Sequence, residues 1–315
     1  MGHDHGHDHT HGANKKALFI SFIITTGYML IEAVGGFLTN SLALLSDAGH
    51  MLSDSVALGV GLVAFILGEK AASYSKTYGY KRFEILAALF NGVTLVVIAG
   101  YIFYEAFQRF IDPPAVASTG MLIIGIIGLL VNVIVAWILL RGDTEENLNV
   151  RAAFLHVIGD MLGSVGAILA ALLIMFFGWG WADPLASVVV AILVLISGWR
   201  VTKDSVHVLM EGTPRNVEFD EIVTCIESTD GIISIHDLHV WSITSGQNAL
   251  SCHAVVKETL TMKESQALLR KIEHQLEHKG IGHVTIQLES DEHPHDDSIM
   301  CQLEEQATHS HHHQH

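Results

Sequence analysis

Two histidines and two aspartates recur at one spacing inside strongly apolar parts of this chain, as His50-Met51-Leu52-Ser53-Asp54 and as His156-Val157-Ile158-Gly159-Asp160. Residues four apart on a helix lie on one face, one turn above the other. An ionisable side chain in apolar surroundings costs several kcal/mol unless something compensates it, which makes each pair a functional-site candidate. Taken together, His50, Asp54, His156 and Asp160 offer two imidazoles and two carboxylates, the donor types and number of a tetrahedral zinc centre. The two carboxylate charges would also neutralise a dication, lowering the cost of holding it away from water. Calcium or magnesium would call for roughly six or more oxygens. One such pair alone reads equally well as a hydrogen bond between helices, but two copies on two segments favour the metal. Asp47, one turn from His50, could relay protons or draw cations in at the site's outer mouth, and reads equally well as a hydrated polar residue.

These pairs need rigid elements to position them. Of the 315 residues, 50% are hydrophobic and only 16% charged, against roughly 25% charged in an average globular chain. The deficit sits in six apolar stretches, Ala17–Leu38, Ser41–Gly68, Phe83–Phe110, Thr119–Leu140, Glu145–Phe177 and Asp183–Met210. Each is long enough to cross about 30 Å of hydrocarbon as a helix, and a spanning segment must satisfy its own backbone hydrogen bonds. An all-α transmembrane bundle of six helices follows. Short connections carry turn residues, among them Asp112-Pro113-Pro114 and Gly178-Trp179-Gly180-Trp181. With the amino terminus inside, the inner flanks hold Lys15, Lys16, Lys70, Lys76, Lys81, Arg82, Arg141, Arg151, Arg200 and Lys203, and the outer flanks Arg109 alone. That bias sets both termini in the cytoplasm. For the second and fifth helices to bring their pairs level, the fifth must begin well before His156, with Asp143 or Thr144 as its N-cap. Glu32 and Glu105, near outer helix ends, read as interfacial or paired, and His207 as a cytoplasmic-surface residue.

After Met210 the texture changes to that of a small soluble domain. Phe219–Glu227 and Lys263–His278 have helical periodicity, and Ile232–Ile243, Asn248–Val256 and His283–Glu289 read as strands, the last alternating apolar and polar residues. The order αββαβ makes a two-layer α+β domain with helices on one face of the sheet. The domain boundaries that follow are 1–16 for a His-rich disordered tail, 17–210 for the membrane domain, 211–292 for the cytoplasmic domain and 293–315 for a second His-rich tail.

The net charge of −16 excludes a nucleic-acid surface, which needs excess Lys and Arg, and points to a cationic partner. Three cysteines, Cys225, Cys252 and Cys301, form no CxxC pair and give neither a disulfide framework nor a thiolate zinc finger. Five of the 21 histidines fall in the first eleven residues and five in the last seven, tracts suited to weak zinc capture. His274 and His278, four apart on an exposed helix face, could chelate weakly but fit a solvated face better, and His239 reads likewise as a polar strand residue.

The paired His-x-x-x-Asp motifs on the second and fifth of six helices, the His-rich tails, the αββαβ domain and His236-Asp237-Leu238-His239-Val240-Trp241 resemble the cation diffusion facilitator family in its zinc-transporting, bacterial zinc and cadmium efflux branch. The resemblance covers residues 15–290. It implies a homodimeric exporter in the bacterial inner membrane that exchanges cytoplasmic Zn²⁺, with Cd²⁺ a further candidate, for protons, with a ferredoxin-like cytoplasmic domain that binds further zinc. It also implies a cytoplasmic site at His236, His253 and His283, with Glu289 a weaker member. From the residues alone these three histidines read as polar strand positions with satisfied hydrogen bonds. Some relatives carry a histidine site between the second and third helices, but Ala71–Arg82 contains no histidine.

Proton exchange suits the ligands, because zinc binds neutral imidazole and carboxylate and protons must leave before it enters. No phosphate-cradling GxxxxGK[ST] segment occurs, so nucleotide-driven transport is unsupported. HExxH is also absent, and four ligands close the site, which argues against an intramembrane zinc hydrolase or any other enzyme. A membrane zinc sensor without flux would share all these residues.

Overall fold

A computed structural model describes residues 8–68, 73–140, 148–257, 259–290 and 298–299. Its elements run α1 (Asp8–Thr39), α2 (Leu42–Gly68), α3 (Phe83–Ile111), α4 (Ser118–Leu140), α5 (Leu148–Phe177), α6 (Ala182–Leu209), α7 (Phe219–Glu227), β1 (Ile232–Thr244), β2 (Gln247–Val256), α8 (Met262–His278) and β3 (Ile281–Ser290). The chain divides into two compact units, Met1–Ala71 with Leu86–Ser205, and Ala72–Ile85 with Val206–His315.

Six long helices build the first unit, and five described segments, in α1, α3, α4, α5 and α6, are long and apolar enough to cross a membrane. Large apolar side chains such as Phe37, Phe90, Phe107 and Phe176 face outward, as a lipid environment requires. Inside, α1 packs on α2 and α4, α4 on α5, and α2 on α5. Small residues allow the close approaches: Gly92 of α3 and Gly198 of α6 leave no room for a Cβ between these two helices. The start of α5 at Leu148 lies ahead of Arg151, while Asp143 and Thr144 fall outside the described residues.

A buried ion network holds the start of α2. The Asp183 carboxylate, completely buried at the head of α6, accepts from Ser41 Oγ at 2.7 Å and from the Leu42 and Ala43 amides at 2.8 and 3.1 Å. Those amides are unsatisfied donors of the first turn, and the negative charge sits at the positive end of the helix dipole. Arg109 Nη1 lies 3.7 Å from Asp183 and donates to the Asn40 carbonyl at 2.7 Å, while Arg109 Nε donates to Glu105 at 3.0 Å. A buried carboxylate without such partners would be strongly destabilising. Glu105 is thus a paired residue.

The second unit carries a three-stranded sheet in the order β1-β2-β3, with β1 and β2 antiparallel and β2 and β3 parallel. The hairpin between β1 and β2 turns at Gly246, whose φ of +73° is open to glycine at no steric cost. One face packs Ile235, Leu238, Val240, Leu250, Cys252 and Ala254 against Ile222 and Ile226 of α7 and Leu268, Ile272 and Leu276 of α8. The alternate residues, among them His236, His253 and Glu289, belong to the other face, since strand side chains alternate with period two.

Candidate metal centres

In the first unit, α2 and α5 face each other. His50 Nε2 stands 3.6 Å from Asp160 Oδ1, and Asp160 is almost completely buried. One turn toward the start of α2, Asp47 packs directly on Gly163 of α5, where an added Cβ would lie 2.5 Å from Asp47 Oδ1. His50 against Asp160 and Asp47 against Gly163 define an antiparallel register. Position 54 follows one turn after 50, and position 156 one turn before 160. Both lie within the described helices, but the side chains of Asp54 and His156 are outside the described residues.

A third carboxyl joins this region from α1. Glu32 is completely buried beside Asp47, and the Tyr28 hydroxyl, one helical turn away, donates to Glu32 Oε1 at 3.2 Å. The charge of Glu32 is visible in the sequence, but the rotation of α1 that aims it inward rather than at the interface is not.

In the second unit, His236, His253 and Glu289 each present a donor atom within 4.8 Å of the others. His236 and His253 are cross-strand partners with ring centroids 5.1 Å apart. Glu289 reaches both, with Oε2 3.3 Å from His236 Nε2 and Oε1 2.9 Å from His253 Nδ1. Two imidazole nitrogens and a carboxylate on one side of a sheet fit zinc by donor type. His236 and Glu289 are buried while His253 is about one-third exposed, leaving an approach from solvent.

His283, the third histidine the resemblance implies, does not join this cluster. It pairs in register with Ala249, whereas Gln287 stands opposite His253. Six residues separate it from Glu289 along β3, about 20 Å at the usual strand rise, and its ring instead meets the edge of Tyr78 at 5.7 Å.

Asp237 is a neighbour that the sequence pattern does not reveal. Its φ of +52° and the register shift between His236 and His239 mark a bulge in β1. The inserted residue lets His236 and His239 share a face although they are three apart. Asp237 Oδ2 lies 3.8 Å from His253 Nε2 and Oδ1 lies 3.1 Å from His239 Nε2. Cys252, next to His253, turns into the core, where burial and then the nearby Asp237 charge push its thiol up to about 12. It therefore stays protonated and offers no thiolate ligand.

The cation efflux transmembrane domain matches residues 18–210, and the cytoplasmic domain of cation efflux proteins matches residues 214–291. Similar proteins include the cadmium, cobalt and zinc/H(+)-K(+) antiporter of Bacillus subtilis (strain 168), 68% identical over 310 residues that cover 98% of this chain and 100% of that protein. The zinc transporter ZitB of Escherichia coli (strain K12) is 43% identical over 320 residues, covering 99% and 100%. The metal cation efflux system protein CzcD of Cupriavidus metallidurans is 43% identical over 289 residues, covering 92% and 90%. Among solved structures, the metal-bound C-terminal domain of the CzcD transporter from the same source is 36% identical and covers 23% of this chain and 99% of that domain, with a TM-score of 0.22.

Proposed function

Because the chain belongs to the cation efflux family, we propose that it exports zinc from the cytoplasm in exchange for protons through a site made by His50, Asp54, His156 and Asp160. The observation that carries this reading is the approach of His50 to Asp160 between α2 and α5. Continued by one turn, the register of that contact supports a reading in which Asp54 and His156 add two more ligands and the second carboxylate charge. Asp47, backed by Glu32, stands on the outer side of the site, where a carboxyl pair can take up and release a proton. Rocking of the helices around a fixed midplane site would expose it alternately to the two sides. Cadmium and cobalt, named for the Bacillus relative, are candidate further substrates, since an N/O site follows general affinity trends.

The protein acts as a transporter and not as a hydrolase, resides in a bacterial inner membrane and keeps both termini cytoplasmic. Two copies assemble through the cytoplasmic domain, a reading supported by that domain's match to a dimer-forming family. His236, His253 and Glu289 would hold a resident zinc there, and their donor set and spacing fit one. Purified protein in liposomes with a zinc-sensitive dye inside and an imposed pH gradient tests the main reading. Zinc flux should follow the proton gradient and vanish in Asp160→Asn. Zinc binding without flux would make the protein a sensor instead.

A further inference from the structure

Helix α8 carries a second arrangement of metal-binding side chains that neither centre uses. Its buried stripe, Leu268, Ile272 and Leu276, packs on the sheet, while Glu273, His274, Glu277 and His278 are exposed. His274 and His278 are four residues apart, and their ring centroids lie 4.7 Å from each other at an interplanar angle of 78°. The two rings meet edge to face across a single helical turn. An ion that binds two nitrogens at about 2.1 Å needs neighbours at this kind of separation, with only small side-chain rotations to close on it.

The local charge agrees. Glu273 and Glu277 each precede a histidine; with His274 they line an open depression of about 460 Å³ beside β3, while His278 lines a neighbouring depression with Glu218 and Glu221. Among the cations nearby, Lys279 is engaged with Glu221 at 2.7 Å, Arg270 lines the depression one turn ahead of His274, and Lys271, three residues before His274, is exposed. The His236, His253 and Glu289 cluster is on the other face of the sheet, so the two sets share no ligand.

We infer that His274 and His278 form a bidentate surface site for a divalent transition cation, loaded from the surrounding solution. Two imidazole donors select borderline ions over hard ones, so Cu²⁺ binds more tightly than Ni²⁺ or Zn²⁺, and Mg²⁺ is ignored. The inference is independent of the transport reading, because it concerns only exposed groups on α8.

Carbethoxylation of histidines by diethyl pyrocarbonate, read peptide by peptide by mass spectrometry on the full-length protein, tests it and keeps α8 separate from the terminal His tracts. CuCl₂ and NiCl₂ should protect His274 and His278 together, with one midpoint for each metal, and MgCl₂ should protect neither. In His274→Ala the midpoint for His278 should rise at least about tenfold, because the helix no longer holds a second imidazole at high local concentration. In His253→Ala the α8 midpoint should stay within about twofold of the parent value, as expected for separate sites. Protection of His278 at the parental midpoint in His274→Ala would overturn the chelate. So would failure of CuCl₂ to protect either residue at concentrations that protect His253. A shift of the α8 midpoint in His253→Ala would show a single shared site and overturn the separation.

Discussion

His50 Nε2 and Asp160 Oδ1 stand 3.6 Å apart across α2 and α5. A charge-assisted hydrogen bond would close to about 2.8 Å, whereas two ligands of one tetrahedral zinc sit about 3.3 Å from each other. The observed spacing is nearer that of co-ligands. Replacing Asp160 by Asn keeps the shape and removes the anion, and zinc flux in liposomes should be abolished. His50→Asp exchanges an imidazole for a harder oxygen and adds a negative charge. Flux should then show a weaker preference for zinc, greater tolerance of Mn²⁺ and an altered pH profile. Retention of the parent metal ranking together with the parent pH profile would exclude His50 as a ligand.

Gly163 is where α5 makes room for Asp47. A methyl group there would lie 2.5 Å from the Asp47 carboxylate, closer than any real contact, and α2 cannot retreat easily because Asp183 holds its first turn. Gly163→Ala should therefore leave a folded, membrane-inserted protein whose zinc flux falls by at least about tenfold, since ångström-scale displacements of reacting groups are that costly. Gly166, one turn on, has open space at its Cβ position, so Gly166→Ala should transport normally. Equal flux from the two variants would show that Asp47 does not depend on that seat.

The pairing of His50 with Asp160 was legible in the sequence because a helix converts a four-residue spacing into one face, and an even number of crossings between α2 and α5 makes them antiparallel. Glu32 was not, since hydropathy locates a span but leaves its rotation open. Strand periodicity placed His283 on the correct face of β3 but carried no information on distance along it, and the register with β2 sets that distance. The bulge at Asp237 escaped because it depends on one residue in the left-handed region, where neither glycine nor asparagine announces a turn. Buried acids pinned by distant partners, as Asp183 is by Arg109, depend on packing between helices far apart in sequence.

At the start of α8, Thr261 and Glu264 form a reciprocal cap. Glu264 accepts from the Thr261 hydroxyl and amide at 2.7 and 2.8 Å, and Thr261 Oγ1 accepts from the Glu264 amide at 3.3 Å. The side-chain bond first, and the backbone bond second, hold the Glu264 carboxyl below its usual 4.5. A lowered value in the folded state means that the contribution is present above the usual carboxyl range and fades as pH falls through the folded value. Hydrogen exchange of the Met262–Ser265 amides should be faster in Thr261→Ala near neutral pH, and the difference from the parent should shrink as pH falls below the usual carboxyl range. A difference that grows in acid would contradict the cap.

The cytoplasmic centre distinguishes two ligand sets. Zinc that binds the folded domain stabilises it by mass action, by about 2.7 kcal/mol at a hundredfold excess over Kd, and amide exchange in β1, β2 and β3 should slow on adding zinc. In Glu289→Gln the anion that reaches both imidazoles is lost, so most of that slowing should disappear. Without zinc the same variant should be no less stable than the parent, because a buried carboxylate has been replaced by a neutral group of equal shape. His283→Ala should keep the full zinc effect, since its position opposite Ala249 is about 20 Å from Glu289. If His283→Ala loses as much protection as Glu289→Gln, the zinc is bound by a set that includes His283, and the grouping of His236, His253 and Glu289 is not the metal centre.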